Sequence, residues 1–158
     1  MRIRTQRLVL STLSTKEWAE VADGDVPNAA PDYPTEGDLV VARLVLAGEW
    51  PRGEWGPLQV RRVEDDLAIG GVGCKGAPDD SGRVEIGYGL AESARGQGYA
   101  TEAVLGLIDS LRTRGVLEVL AECDPGNAPS IAVLRRCGFE RPGADGLWCR
   151  RLSPAGSR

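Results

Sequence analysis

The sequence contains no histidine among its 158 residues. This absence excludes Ser-His-Asp and Cys-His nucleophilic machinery, a metal centre built on imidazole ligands, and any imidazole acid or base. Proton transfer must therefore use carboxylates, hydroxyls, thiols, amines or water. The length itself is typical of one domain.

Lysine is also scarce. Only Lys16 and Lys75 are present, and 19 basic residues stand against 23 acidic ones, which leaves a net charge of −4. A chain without a basic excess is not expected to bind nucleic acid. The acidic excess either serves solubility or suits a cationic amine substrate.

Clustered cysteines and long apolar runs are missing as well. The four cysteines, Cys74, Cys123, Cys137 and Cys149, form no CxxC pair, so we predict reduced thiols and no metal. The N-terminus lacks the apolar segment of a secretory signal, and no apolar run approaches the ~20 residues of a membrane helix. These absences predict a cytoplasmic protein without a membrane partner.

Hydrophobic periodicity predicts seven strands and four helices. Strands are predicted over residues 3–13, 58–63, 67–74, 84–90, 116–123, 139–141 and 147–152. Capping signals at Ser14, Thr35 and Asn127, with a 3.6-residue period from Tyr99, predict the four helices. The helix that joins strands 84–90 and 116–123 makes this pair parallel. We therefore expect a mixed α/β sheet, mostly antiparallel, with a parallel pair in the middle and helices on both faces.

The segment Arg95–Ala100, RGQGYA, carries the clearest chemical signal. Gly96 and Gly98 allow the backbone to approach a ligand, and the following helix offers free amides and a positive dipole end. Arg95 adds a fixed positive charge, so the loop suits a phosphate or pyrophosphate. A purely structural turn explains the glycines too. A dinucleotide loop is disfavoured because Thr101 stands in place of its third glycine, and no Gly-Lys-Ser/Thr follows for a Walker loop.

This loop belongs to an ordered set of motifs spanning residues 3–141. TQRLVL lies near the N-terminus, IGGVG and EIGY follow, and DPGN-x-x-S and GF come after RGQGYA. In this order they resemble the GNAT superfamily of acyl-CoA-dependent N-acetyltransferases, in particular the ribosomal-protein N-terminal alanine acetyltransferase branch. The resemblance implies a GNAT-like fold, one acyl-CoA N-acyltransferase domain over residues 1–152, and a C-terminal tail over residues 153–158.

The resemblance also implies acetyl-CoA as co-substrate. The loop amides would hold the pyrophosphate, and the pantetheine arm would lie along the end of the strand that precedes the loop. The implied binding residues are Tyr88, Gly89, Leu90, Arg95, Gly96, Gln97, Gly98, Tyr99, Ala100, Thr101 and Asn127. For Asn127, helix capping is an equally good explanation.

Three residues are candidates for the proton transfers. Glu85 and Glu122 lie where some GNAT enzymes place a catalytic glutamate, although each could equally be a solvated or ion-paired strand residue. Ser130 matches the serine of the ribosomal branch, and a serine also suits the first turn of a helix. Leu134 stands where many GNAT enzymes have a tyrosine that donates a proton to the leaving thiolate. Cys149 stands where the ribosomal branch has a glutamate.

The expected reaction is direct attack of a primary amine on acetyl-CoA in a ternary complex. The acceptor would be a peptide N-terminus or a small-molecule amine, and the resemblance allows a homodimer. The large aromatics of the variable segments, either pocket walls or core, are Tyr33, Trp50, Trp55 and Trp148. The alternative function is a non-catalytic acyl-CoA-binding or regulatory module.

Overall fold

The computed structural model describes residues 1–156, so the predicted tail over 153–158 extends beyond the described residues. Seven strands form one sheet: β1 (Arg2–Arg4), β2 (Leu8–Ser11), β3 (Pro57–Arg62), β4 (Ala68–Cys74), β5 (Arg83–Leu90), β6 (Glu118–Ala121) and β7 (Trp148–Arg151). Four α-helices accompany it: α1 (Thr15–Asp23), α2 (Glu36–Leu46), α3 (Tyr99–Thr113) and α4 (Ala128–Arg136). Short 3-10 turns cover Gly53–Trp55 and Glu92–Ala94.

The strands follow one another across the sheet in chain order, from β1 to β7. All neighbours are antiparallel except β5 and β6, which run parallel. The crossover between those two strands is α3, as the periodicity predicts. The expected mixed, mostly antiparallel seven-stranded sheet is confirmed.

Two predicted strands differ from the observed ones. The single strand expected over residues 3–13 is a hairpin of β1 and β2, because the chain turns at Thr5, whose amide donates to the Leu8 carbonyl at 2.9 Å. The strand expected over residues 139–141 is reduced to one isolated bridge between Glu140 and Cys149. Pro142 follows directly and has no amide to extend that pairing.

The predicted helix starts are confirmed by their caps. Ser14 and Glu17 form a reciprocal capping box at α1, and Thr35 and Asp38 form a second one at α2. The Asn127 side chain accepts from the amide of Ser130 and caps α4. These side chains satisfy amides that a helix start leaves without a partner.

Helices cover both faces of the sheet. On one face α3 packs so tightly that a Cβ at Gly106 would lie 2.6 Å from Thr5 Cγ2 and 3.7 Å from Leu10 Cδ1. Leu10 pairs through β3 with Gly70, so the next residue, Gly71, points to the opposite face. There α2 places the Asp38 Oδ1 atom 3.2 Å from where a Gly71 Cβ would be. The main core lies beneath α3, and a smaller cluster joins α1 to α2 through Trp18, Val21, Ala42 and Val45.

The parallel pair separates near the middle of β5. Its pairing with β6 ends at Ile86 and Ala121, whereas β5 continues to Leu90 with hydrogen bonds to β4 alone. Residues 87–90 therefore present a backbone edge without a neighbouring strand, and this edge leads toward the glycine loop. We call this the splayed edge. Within residues 1–156, no helix combines the length and apolar character needed to cross a bilayer.

Candidate active site

The glycine loop ends at the first turn of α3. Gly96 and Gly98 have φ angles of 76° and 81°, in the left-handed region that favours glycine, and Gly98 is the N-cap residue of α3. Within residues 1–156, the amides of Gly96, Gln97 and Gly98 donate to no acceptor. The first amides of α3 have no partner inside the helix either. The loop is thus a cluster of free donors at the positive end of a 15-residue helix, which suits an anion.

Arg7 holds this loop from the β1–β2 turn. Its Nη1 atom donates to the Gln97 carbonyl at 2.9 Å, and its guanidinium lies 4.5 Å from the centroid of the Tyr99 ring. Its Nε atom donates to Glu102 at 2.7 Å. Because Arg7 binds the carbonyl of Gln97, the planar trans peptide that follows has its Gly98 amide turned away from Arg7. Arg7 was not a candidate at the sequence level.

Glu102 is the anchor of that arrangement. Besides Arg7 Nε, its carboxylate accepts from Thr5 Oγ1 at 2.7 Å and from the Arg7 amide at 2.6 Å. Partial burial alone would raise the pKa of Glu102, but the bonds from Thr5 and Arg7 outweigh it and hold that pKa below its usual value. We call Thr5, Arg7 and Glu102 the loop clamp.

Replacing Glu102 with glutamine should lower the unfolding free energy by roughly 1–3 kcal/mol at pH 7, because donors of the loop clamp lose a charged partner. The carboxylate has a lowered pKa in the folded state, so its contribution is complete above the unfolded pKa of about 4.3. It disappears as pH falls through the folded pKa. Denaturant unfolding at pH 7 and near pH 3 should show the difference between wild type and Glu102→Gln shrinking in acid. A constant difference would contradict the role of charge.

Arg95 lies on the outer side of the loop. Its side chain is exposed apart from one bond, from Nε to the Leu90 carbonyl at 3.2 Å. The guanidinium is therefore tied to the end of β5 and leaves further donors for a ligand at the loop. Asp32 accepts from the amide and hydroxyl of Ser93, which links the 3-10 turn before the loop to the variable segment after α1.

A hydroxyl pair lies where α4 crosses β5. The Tyr88 hydroxyl is 2.8 Å from Ser130 Oγ and donates to the Ser130 carbonyl at 3.1 Å. Burial is the main reason that the pKa of Tyr88 rises to about 12. The phenol is therefore protonated at neutral pH and available as a donor. Asn127 caps the same helix by accepting from the Ser130 amide at 3.2 Å.

The two glutamate candidates lie on the face covered by α2. Glu85 pairs in register with Leu120, and Glu122 lies two residues beyond Leu120, so strand alternation places both side chains on one face. Glu85 Oε1 forms an ion pair with Lys75 Nζ at 2.8 Å. Glu122 is exposed, just past the end of β6.

Leu134 and Cys149 stand at positions where related enzymes have a tyrosine and a glutamate. Leu134 is completely buried in the main core, so α4 offers no hydroxyl there. Burial and the neighbouring Glu118 raise the pKa of Cys149, which keeps it a thiol at neutral pH.

A cavity of about 160 Å³ opens between α2 and the sheet. Its floor consists of strand glycines at positions 70, 71, 73, 87 and 89, and its walls include Trp18, Tyr33, Asp38, Val41 and Trp50. Tyr33 and Trp50 thus line the cavity. The other two expected aromatics do not: Trp55 stacks on Arg114, and Trp148 is buried beside Arg135. Trp18, which the sequence analysis missed, completes the wall.

The cavity and the splayed edge share Gly87, Tyr88 and Gly89. An acceptor in the cavity would therefore meet a group threaded along this edge. The glycine loop lies beyond the end of the edge, the hydroxyl pair on the α4 side, and the glutamates on the α2 side.

Comparison with known proteins agrees with this arrangement. An uncharacterized N-acetyltransferase, p20 of Bacillus licheniformis, is 37% identical over 81 residues; the match covers 51% of this chain and 46% of p20, about half of that relative's length. An acetyltransferase structure from Agrobacterium tumefaciens, 26% identical, has a TM-score of 0.66 and covers 97% of this chain and 94% of its own. Mycobacterium smegmatis RimJ, solved with a CoA disulfide, shares the fold at a TM-score of 0.65 and 19% identity, covering 96% and 86%. Residues 7–140 match the acetyltransferase (GNAT) domain model, which confirms the resemblance, and the chain belongs to the GNAT family.

Proposed function

We propose that this protein is an N-acetyltransferase that transfers the acetyl group of acetyl-CoA to a primary amine by direct attack in a ternary complex. The observation that carries the proposal is the glycine loop with its free amides at the end of the splayed edge, an edge that also borders the cavity of about 160 Å³. RimJ, with the same fold, was solved with a CoA disulfide. We assign the activity to residues 1–152.

The loop has the donors and the space that a pyrophosphate needs. No atom lies within 4 Å of a Cβ built at Gly96, so the approach to its amide is open. The amides of residues 96–101 bind the phosphates, and Arg95 neutralises their charge. Thr101 and Ala100 contribute through the first turn of α3. The loop clamp keeps the carbonyl of Gln97 out of this cradle.

The splayed edge accepts the pantetheine arm as an added strand. Its backbone at Tyr88, Gly89 and Leu90 has lost β6 as a partner, and the amides of pantetheine can hydrogen-bond to it as a peptide would. This places the thioester near the point where β5 and β6 separate. Asn127 caps α4, and in this proposal it also hydrogen-bonds to the pantetheine arm.

The chemistry is amide formation. The amine nitrogen bonds to the thioester carbonyl carbon, the carbon–sulfur bond breaks, and the sulfur leaves with the bonding electron pair. One proton leaves the amine and one reaches the thiolate. With no histidine in the chain, Glu85 or Glu122 takes the first proton through water on the α2 face.

Ser130 gives the second proton, from the α4 side. Its hydroxyl is 2.8 Å from the Tyr88 hydroxyl, which replaces the donor absent at Leu134. Because Tyr88 stays protonated at neutral pH, it can return a proton to Ser130 after each transfer and then regain one from solvent. Tyr88 is thus a positioning residue acting through Ser130.

The alternative is a non-catalytic acyl-CoA-binding module, favoured by Leu134 and by the ion pair that engages Glu85. Two measurements separate the functions. Calorimetry with CoA should detect binding, and acetyl-CoA thiol release should accelerate with an amine from a broad panel. Binding without release across the panel supports the module. No binding at millimolar CoA contradicts both functions.

A further inference from the structure

Asp38 presents a free carboxylate oxygen to the cavity. Its Oδ2 atom closes the capping box of α2, accepting from the Thr35 amide at 2.9 Å and the Thr35 hydroxyl at 2.7 Å. Its Oδ1 atom accepts no hydrogen bond within residues 1–156 and faces Gly71 on the cavity floor. One oxygen therefore serves the helix, and the other is available to a ligand.

This carboxylate also has no cationic partner in the described part of the chain. Asp38 forms no ion pair there, while Lys75, which also lines the cavity, is paired with Glu85, and Arg61 bonds to Gln59. Burial raises the pKa of Asp38, more than the bonds from Thr35 lower it. A cation in the cavity would relieve this unfavourable placement of a charge.

The rest of the cavity suits the body of a small organic cation. Trp18, Tyr33 and Trp50 line it, and aromatic faces attract both apolar groups and cations. A volume of about 160 Å³ is small for a ligand pocket, so its occupant must be compact. Gly71, under Asp38, pairs with Gly89 of β5, so an amine held at Oδ1 lies across one strand from the edge that receives the thioester.

We propose that the acceptor is a compact primary amine with an apolar or aromatic body and no carboxylate, and that Asp38 Oδ1 binds its ammonium group, which releases one proton to solvent before the neutral amine attacks. The inference rests on the proposed function and specifies its substrate class. An amino acid carries a carboxylate next to its amine, which Asp38 would repel. Only the first residue of a peptide fits a cavity of about 160 Å³, and the rest of the peptide would lie outside it.

The test compares phenethylamine with phenylalanine, which differ by one carboxylate. Calorimetry is carried out with and without saturating CoA, so amine binding is measured independently of turnover. Wild-type protein should bind phenethylamine at least ~10-fold more tightly than phenylalanine. Equal affinity for the two, or a preference for a phenylalanyl tripeptide, would overturn the substrate class.

Three variants locate the effect. Asp38→Asn keeps an oxygen for the cap but removes the charge, and it should weaken phenethylamine binding at least ~10-fold. Glu36→Gln removes the same charge from the exposed first turn of α2 and should leave binding unchanged. Gly71→Ala places a Cβ 3.2 Å from Oδ1 without altering the cap, and it should also weaken binding.

CoA affinity distinguishes a failure of the Asp38 inference from a failure of the proposed function. If Asp38→Asn still binds CoA, the variant is folded. Unchanged phenethylamine affinity in that variant would then refute the binding of the ammonium group by Asp38. Absence of CoA binding in the wild-type protein refutes the proposed function instead. In that case, calorimetry of phenethylamine without CoA still tests whether Asp38 binds the amine.

Discussion

Replacing Gly98 with leucine should abolish measurable CoA binding, raising the dissociation constant more than ~100-fold, about 2.8 kcal/mol. Gly98 has a φ of 81°, where a side chain costs roughly 1–2 kcal/mol. Its Cβ would lie 3.3 Å from Arg7 Nη2, so the substitution also displaces the residue that fixes the loop. Calorimetric titration with CoA measures the loss.

Gly115→Leu is the matched control. Gly115 follows the other end of α3 with a φ of 82°, and no atom lies within 4 Å of its Cβ position. It should suffer comparable backbone strain and a comparable fall in Tm, yet retain CoA affinity. Equal loss of affinity in both variants would mean that helix strain, and not the loop, controls binding. Normal CoA affinity in Gly98→Leu would mean that the glycine loop is not part of the CoA-binding site.

The second large effect is expected at the hydroxyl pair. Ser130→Ala should lower kcat about 100-fold, the lower end of the range for a lost proton donor. Tyr88→Phe retains the ring and removes only the oxygen 2.8 Å from Ser130 Oγ, so it should lower kcat through Ser130. The KM for acetyl-CoA should change little in both, because the loop and the splayed edge remain. Steady-state thiol release measures the two constants.

The double variant distinguishes a shared role from two separate ones. If the hydroxyls act as a unit, Ser130→Ala with Tyr88→Phe should be no slower than the slower single variant. Multiplicative losses would instead indicate that Tyr88 acts independently, by packing. Ser110→Ala, on the surface-facing part of α3, provides a control hydroxyl and should retain wild-type kcat.

The pH profile gives an independent check. Tyr88 has a pKa of about 12, so the wild-type profile should contain no inflection from this phenol between pH 6 and 9. An inflection in that range that disappears in Tyr88→Phe would contradict its role as a protonated donor.

The sequence predicted the fold where local signals agree with the final packing. The capping boxes at Ser14 and Thr35 are short-range chemistry, and so each helix start was correct. The hairpin at Thr5 was missed because the apolar positions of β1 and β2 continue one pattern across a turn that contains no glycine or proline. Packing of Ile3 of β1 and Leu10 of β2 against α3 decides that arrangement, and it is a property of the whole fold.

Only those parts of the site that neighbouring residues in the chain encode could be predicted from the sequence. Gly96 and Gly98 indicate the loop in the sequence because positive φ angles favour glycine. The loop clamp joins Arg7 to Glu102, which are 95 positions apart, and no pattern in a single sequence connects them. The pairing of Tyr88 with Ser130 has the same origin, since only the crossing of α4 over β5 brings these hydroxyls together.

The strand order has a consequence for how the protein avoids self-association. Because chain order and spatial order coincide, each new strand covers the exposed edge of the one before it, and no strand must insert between two others. Within residues 1–156, only β1 and β7 remain as outer edges. Both carry arginines, at positions 2, 4, 150 and 151. Short, positively charged margins of this kind oppose edge-to-edge pairing between copies of a chain, so the same residues that end the sheet also limit its growth into aggregates.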